Sequence, residues 1–190
     1  AILVIALSLV IYLISFSTEE YTSKIEKEQL LLLAYKDTLT GMPNRASCYR
    51  NIEKMEAENR KDYSIVFIDL NNLKKANDGF GHDMGDKVLM AFADIVRANT
   101  RSEDVVARIG GDEFLVITEN EDLTNCKTLV ETLKKEASIT YNDNALQPWE
   151  KISLAIGVAY YNESLDSSID DIFKRAHKEM IKDKALSKSL

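Results

Sequence analysis

Residues 105–109 and 113–118 form two apolar, β-prone runs separated only by Gly110, Gly111 and Asp112. Two short runs split by a glycine-rich step are a hairpin signal, and this commits the chain to a sheet with at least one antiparallel pair. Around the hairpin, residues 63–70 (YSIVFIDL) and 152–160 (ISLAIGVAY) read as further strands. Helical periodicity is expected over 44–60, 83–99, 123–137 and 168–186. In 83–99 the apolar face is Met84, Val88, Phe92, Ile95 and Val96; in 168–186 it is Ile169, Ile172, Phe173, Ala176 and Met180. Helices alternating with strands, one pair of them a tight hairpin, predict an α+β fold with a mixed or antiparallel sheet and helices packed on it. The 190-residue length fits one ordinary domain with a short appendage. Only 2 Pro and 7 Gly, with 45% hydrophobic residues, exclude a disordered or linker-like chain. The charge balance of 24 − 31 = −7 argues against gripping duplex nucleic acid through its backbone, so no nucleic-acid partner is expected. Cys48 and Cys126 are far apart, have no metal-ligand pattern, and read as plain thiols in a reducing compartment.

Residues 1–18 carry no charge, and 1–16 are apolar except for Ser8 and Ser15. Eighteen helical residues span about 27 Å, close to a bilayer's hydrocarbon core, so a transmembrane helix is expected here. A signal-peptide core and a buried core helix are the competing readings; the run lacks the basic flank and small-residue cleavage site of the first. The chain starts in mid-hydrophobe without Met, as a piece of a longer protein would. Residues 19–36 are rich in helix formers and continue the helix as a linker. Tyr21, Ile25, Leu32 and Tyr35 fall at coiled-coil spacings, interrupted by Glu28. A parallel coiled coil between two protomers and a helix packed on its own domain both fit that stripe.

Three places carry chemistry. Asp69 ends an apolar strand, where a buried carboxylate is costly without a cation. The hairpin tip sets Asp112 and Glu113 side by side, and a hairpin lying beside the first strand would bring both acids to Asp69. Clustered carboxylates suit Mg²⁺ bound together with a nucleotide triphosphate, whereas an isolated tip would be a turn with surface acids. Third, residues 77–86 read as a loop joining that strand to the next helix. Asn77 and Asp86 there are able to read a guanine edge, which offers N1–H and N2–H₂ donors in a row. Alternatively Asn77 caps the turn and Asp86 pairs with Lys87 or Arg97.

The string Gly110-Gly111-Asp112-Glu113-Phe114 resembles the signature of the GGDEF family of diguanylate cyclases. Residues 37–45 (DTLTGMPNR) are similar to that family's opening DxLTGLPNR segment. Residues 67–74, followed by Asn77-Asp78, Gly81-His82 and Gly85-Asp86, match its central block, and Arg108 stands where the family places an Arg before the turn. The resemblance covers roughly residues 37–188. It implies a palm-like sheet related to nucleotidyl cyclases, and condensation of two GTP into cyclic di-GMP with release of two pyrophosphates by a homodimer that brings two half-sites together. Carried over by position, it implies that Asp69, Asp112 and the Leu70 carbonyl ligate Mg²⁺ (or Mn²⁺), supported by Glu113. Asp112 would also be the base for the ribose 3′-OH. Asn77 and Asp86 would read guanine, His82 would flank it, and Lys74, Lys184 and Lys188 would meet the triphosphate. Arg101 and Asp104 have the RxxD form of the family's inhibitory product site; an i,i+3 ion pair at a helix end is the plain alternative.

Departures from the family pattern are Asn71 for Asp, Leu73 for Phe, and His177 and Ile181 for the Asp and Tyr of the last helix. None removes a metal- or base-reading position. Two readings follow: an active cyclase anchored in a bacterial cytoplasmic membrane with its catalytic domain in the cytoplasm, and a silent module that binds cyclic di-GMP or GTP. The retained hairpin acids favour the first.

Overall fold

The computed structural model describes residues 2–119, 123–142 and 152–187. In chain order the elements are α1 (Ile2–Tyr35), α2 (Arg45–Ala57), β1 (Tyr63–Asn71), α3 (Leu73–Phe80), α4 (His82–Asn99), β2 (Val105–Arg108), β3 (Glu113–Glu119), α5 (Leu123–Asn142), β4 (Ser153–Tyr160) and α6 (Ile169–Ser187). The strands form one sheet in the order β2-β3-β1-β4, with every neighbouring pair antiparallel. The expected hairpin is β2–β3. The fold is therefore α+β, and of the two sheet types expected the antiparallel one is found.

β1 is buried along nearly its whole length because helices cover both sheet faces. Its alternation assigns Val66, Ile68 and Leu70 to a core shared with Phe92 and Val96 of α4 and Leu133 of α5. Ile65 and Phe67 join the opposite core with Ile52 of α2 and Ile172, Ala176 and Met180 of α6. Phe92 and Phe114 meet edge to face at 5.0 Å in the first layer. Cys48 and Cys126 are buried free thiols, one on each side, and burial pushes the Cys48 thiol up to about 12.

On β4 the residues that face α6 are small: Ala155, Gly157 and Ala159. A β-carbon at Gly157 would run into the backbone of Ala176 and Met180, so helix and strand touch backbone to backbone. Asp183 secures the contact by accepting from the outward Ile156 N–H (2.9 Å) and from Lys134 Nζ of α5 (2.9 Å). It thereby caps an N–H on an edge strand.

Two expectations need correction. Residues 77–86 are not a loop: α3 and α4 run through them with only Gly81, at φ +85°, between. The run of Asn, Asp and Gly suggests a loop, but burial of Ala76 and packing of Leu73 on the core favour a helical turn entered through Asn72 at φ 65°. The transmembrane helix at 1–18 is not supported either: among the described residues no helix is long and apolar enough to cross a membrane. The helix α1 continues past residue 18 through Glu19, Glu20 and Lys24.

Gly157→Ala should lower stability by about 2–3 kcal/mol, because the obstacle is backbone and not a flexible side chain. A shift in the urea midpoint at unchanged slope checks this.

Candidate active site

The site is built on the β1–β3 pairing. Asp69 stands opposite Glu113, and the Leu70 N–H donates to the Asp112 carbonyl at 3.0 Å, so the end of β1 and the hairpin tip lie side by side. The Asp69 side chain is buried, and Lys184 of α6 donates to its Oδ2 at 2.7 Å. The cation that the sequence demanded for Asp69 comes from 115 residues away. Leu70, Asn71, Lys74, Asp112 and Lys184 line one cavity of about 320 Å³ in front of this strand end.

The three-acid cluster is narrower than expected. Among the described residues no group of three or more His, Cys, Asp or Glu is arranged to hold a metal. The Glu113 carboxylate folds over Gly110, where a β-carbon would collide with it. The donors that remain are the Asp69 and Asp112 carboxylates and the Leu70 carbonyl. This set fits Mg²⁺, which takes one or two protein carboxylates and fills its octahedron with waters and substrate oxygens.

Asn77 and Asp86 lie on the adjoining helices α3 and α4. Asn77 on α3 lies against Gly85 on α4, where any β-carbon would strike its amide oxygen, and Asp86 follows directly. Asn77 Oδ1 is buried with no hydrogen-bond partner in the structure, an acceptor shielded from solvent and open to an N–H donor. Arg97, a proposed partner for Asp86, instead bonds Asp94 at 2.6 Å and the Thr40 carbonyl. His82 is exposed at the first residue of α4. Lys188 lies outside the described residues.

Arg101 and Asp104 sit in a turn after α4, not on a helix, and the Arg101 N–H donates to Asp104 Oδ2 at 2.8 Å. With Asn99, Asn125, Thr128 and Thr132 they line a second cavity of about 210 Å³ that shares no residue with the first.

Sequence reasoning did not assign the brace behind the hairpin tip. Arg108 donates to Asp37 Oδ1 at 2.9 Å and to the Gly111 carbonyl at 2.7 Å. Asp37 also accepts from the Thr40 N–H (2.8 Å) and hydroxyl (2.7 Å). Asn44 ties the same segment to the end of α1 by donating from its amide to the Ala34 carbonyl. The spacing Asp37-x-x-Thr40 was the available signal, since a short acid followed by Thr closes a turn on itself. Burial pushes the Asp37 carboxyl up, but the hydrogen bonds from Thr40 and Arg108 and the Arg108 charge outweigh it, leaving it below its ordinary value of 3.8. The last residue of the α1 stripe, Tyr35, stacks under the Arg50 guanidinium of α2 at 5.3 Å, while Tyr21 and Leu30–Leu33 are exposed. Helix packing on the chain's own domain thus holds only at the end of α1.

The fold is an antiparallel sheet flanked by helices, with Asp69 and Asp112 on neighbouring strand and hairpin ends. The model "Diguanylate cyclase, GGDEF domain" matches residues 34–189, and the chain belongs to this family. It is 34% identical over 167 residues to the bifunctional diguanylate cyclase/cyclic di-GMP phosphodiesterase MucR of Pseudomonas aeruginosa, a match covering 83% of this chain and 24% of that protein. It is 32% identical over 152 residues to diguanylate cyclase DgcM of Escherichia coli, covering 78% and 36%. The chain thus spans about a quarter to a third of these relatives. In structure it is similar to the coiled coil and GGDEF domain of DgcB from Caulobacter crescentus in complex with c-di-GMP, with a TM-score of 0.80, 23% identity, and coverage of 94% and 95%.

Because the folded Asp37 value lies below the unfolded one, its contribution is complete above about pH 4 and is lost as pH falls through the folded value. Asp37→Asn should therefore lower the urea midpoint at pH 7, and the gap from the parent should close as pH is taken below 4. Arg108→Ala, which removes the counter-charge beside Asp37 and the side-chain donor to the Gly111 carbonyl, should cost about 3 kcal/mol, read by the same unfolding assay.

Proposed function

We propose that this chain is a diguanylate cyclase module that condenses two GTP into cyclic di-GMP and two pyrophosphates. The observation that carries the reading is the cavity lined by Asp112, Lys74 and Lys184 at the strand end, where Lys184 also bonds the buried Asp69. Asp69, Asp112 and the Leu70 carbonyl hold Mg²⁺ (or Mn²⁺), which when bound supplies charge stabilisation at the α-phosphate. Lys74 and Lys184 bind the triphosphate and neutralise charge on the departing pyrophosphate. Asp112 accepts the 3′-OH proton as that oxygen attacks the α-phosphorus in line. Glu113, folded over Gly110, keeps the tip in shape for Asp112. Asn77 Oδ1 and the Asp86 carboxylate accept from guanine N–H groups, an arrangement that adenine cannot satisfy because it lacks the N1–H donor. His82 flanks that site, and Lys188 adds a further cation for the triphosphate.

One protomer presents one nucleotide, so cyclisation needs two, and the exposed apolar stripe of α1 suits a homodimer. Product returns to the separate Arg101–Asp104 cavity, where the guanidinium grips a guanine edge or phosphate and the carboxylate a guanine edge. The GTP substrate puts this domain on the cytoplasmic side of the bacterial membrane. The silent-receptor reading draws no support here, since the acids of the hairpin and both base-reading residues are present.

Asp112→Asn is nearly isosteric and should reduce formation of cyclic di-GMP from GTP and Mg²⁺ by at least about 10³-fold, with thermal unfolding unchanged; residual activity near the parent's would sink the assignment. Arg101→Ala should leave initial rates intact and abolish the slowing of progress curves by added cyclic di-GMP; inhibition equal to the parent's would contradict the product site.

A further inference from the structure

Asp69 is buried and fixed in the sheet, but its counter-charge is carried on a movable arm. Lys184 is partly exposed, belongs to α6, and reaches Asp69 Oδ2 from the wall of the cavity that Asp112 also lines. We propose that Lys184 is an exchangeable counter-ion that holds the metal position until a cation and a nucleotide arrive together. In the nucleotide-free protein the ammonium compensates the Asp69 carboxylate, which would otherwise be costly to keep charged in a buried site. A divalent cation arriving alone must displace that ammonium and leave it without an anion in the cavity. A cation arriving with a triphosphate brings the anion to which Lys184 then turns. The two ligands are thereby coupled through one side chain, and each raises the affinity of the other.

The helix that carries Lys184 is anchored to β4. The backbone of α6 is set against Gly157, and Asp183, one residue before, is bonded to Ile156 N–H and Lys134. Lysine suits the role because its ammonium is a compact point charge on a flexible four-carbon stem. The inference rests on the proposed function in one respect, that Asp69 is a metal ligand.

The test is Mn²⁺ binding, read from the electron paramagnetic resonance signal of the free ion, for the parent chain, Lys184→Gln, Lys184→Arg and Lys184→Gln/Asp69→Asn, each checked for a cooperative thermal transition. Without nucleotide, Lys184→Gln should bind Mn²⁺ at least ten-fold tighter than the parent, Lys184→Arg should resemble the parent, and the double variant should lose the gain. With a non-hydrolysable GTP analogue the order should invert, the parent holding the Mn²⁺–nucleotide pair more tightly than Lys184→Gln. Equal Mn²⁺ affinity in the parent and Lys184→Gln, with weaker binding in the double variant, would overturn the exchange and leave the metal assignment standing. Mn²⁺ binding indifferent to Asp69→Asn would overturn both.

Discussion

The antiparallel pairing of β1 with β3 is the constraint on which the rest of the site depends. Side chains alternate along a strand, so a one-residue slip would move Asp69 from the α6 face to the opposite one and separate it from Lys184. Burial of β1 on both faces prevents that slip: Ile65 and Phe67 belong to one core, Val66 and Ile68 to the other, and exchanging them would misplace four large apolar groups. The register that satisfies both cores also sets Asp69 opposite Glu113 and joins Leu70 to Asp112. Chemistry at the strand end is thus a by-product of packing in the strand middle.

Two further contacts turn that juxtaposition into a site. Gly157 lets α6 lie directly on β4, which carries Lys184 to Asp69. Arg108 ties the Gly111 carbonyl to Asp37, just after the end of α1, so the hairpin tip and the end of the long helix share one partly buried ion pair. The second cavity, at Arg101 and Asp104, stands apart from this chain of contacts.

Much of this was legible in the amino-acid sequence. The glycine step after residue 109 marked the hairpin, the run at 63–70 marked the central strand, and the burial of Asp69 called for a cation. The pairing of that cation was not legible, because a lysine among the five Lys and Arg residues of α6 gives no local sign that it turns onto Asp69. Residues 77–86 read as a loop because Asn, Asp and Gly dominate them, yet Leu73 and Ala76 gain more from packing in α3 than those residues lose. The brace between Asp37 and Arg108 links positions 71 residues apart, a separation that no local pattern spans. The charge-free start suggested a membrane helix, but among the described residues no helix is long and apolar enough to cross a membrane.

The central claim is that the strand end and hairpin tip form one metal–nucleotide site. The most direct measurement is an anomalous difference map from crystals of the chain grown with Mn²⁺ and a non-hydrolysable GTP analogue. The account predicts a manganese peak between the Asp69 and Asp112 carboxylates, with guanine against Asn77 and Asp86 and Lys184 turned onto the triphosphate. A bound nucleotide whose guanine lies away from Asn77, or a manganese peak remote from both carboxylates, would contradict it.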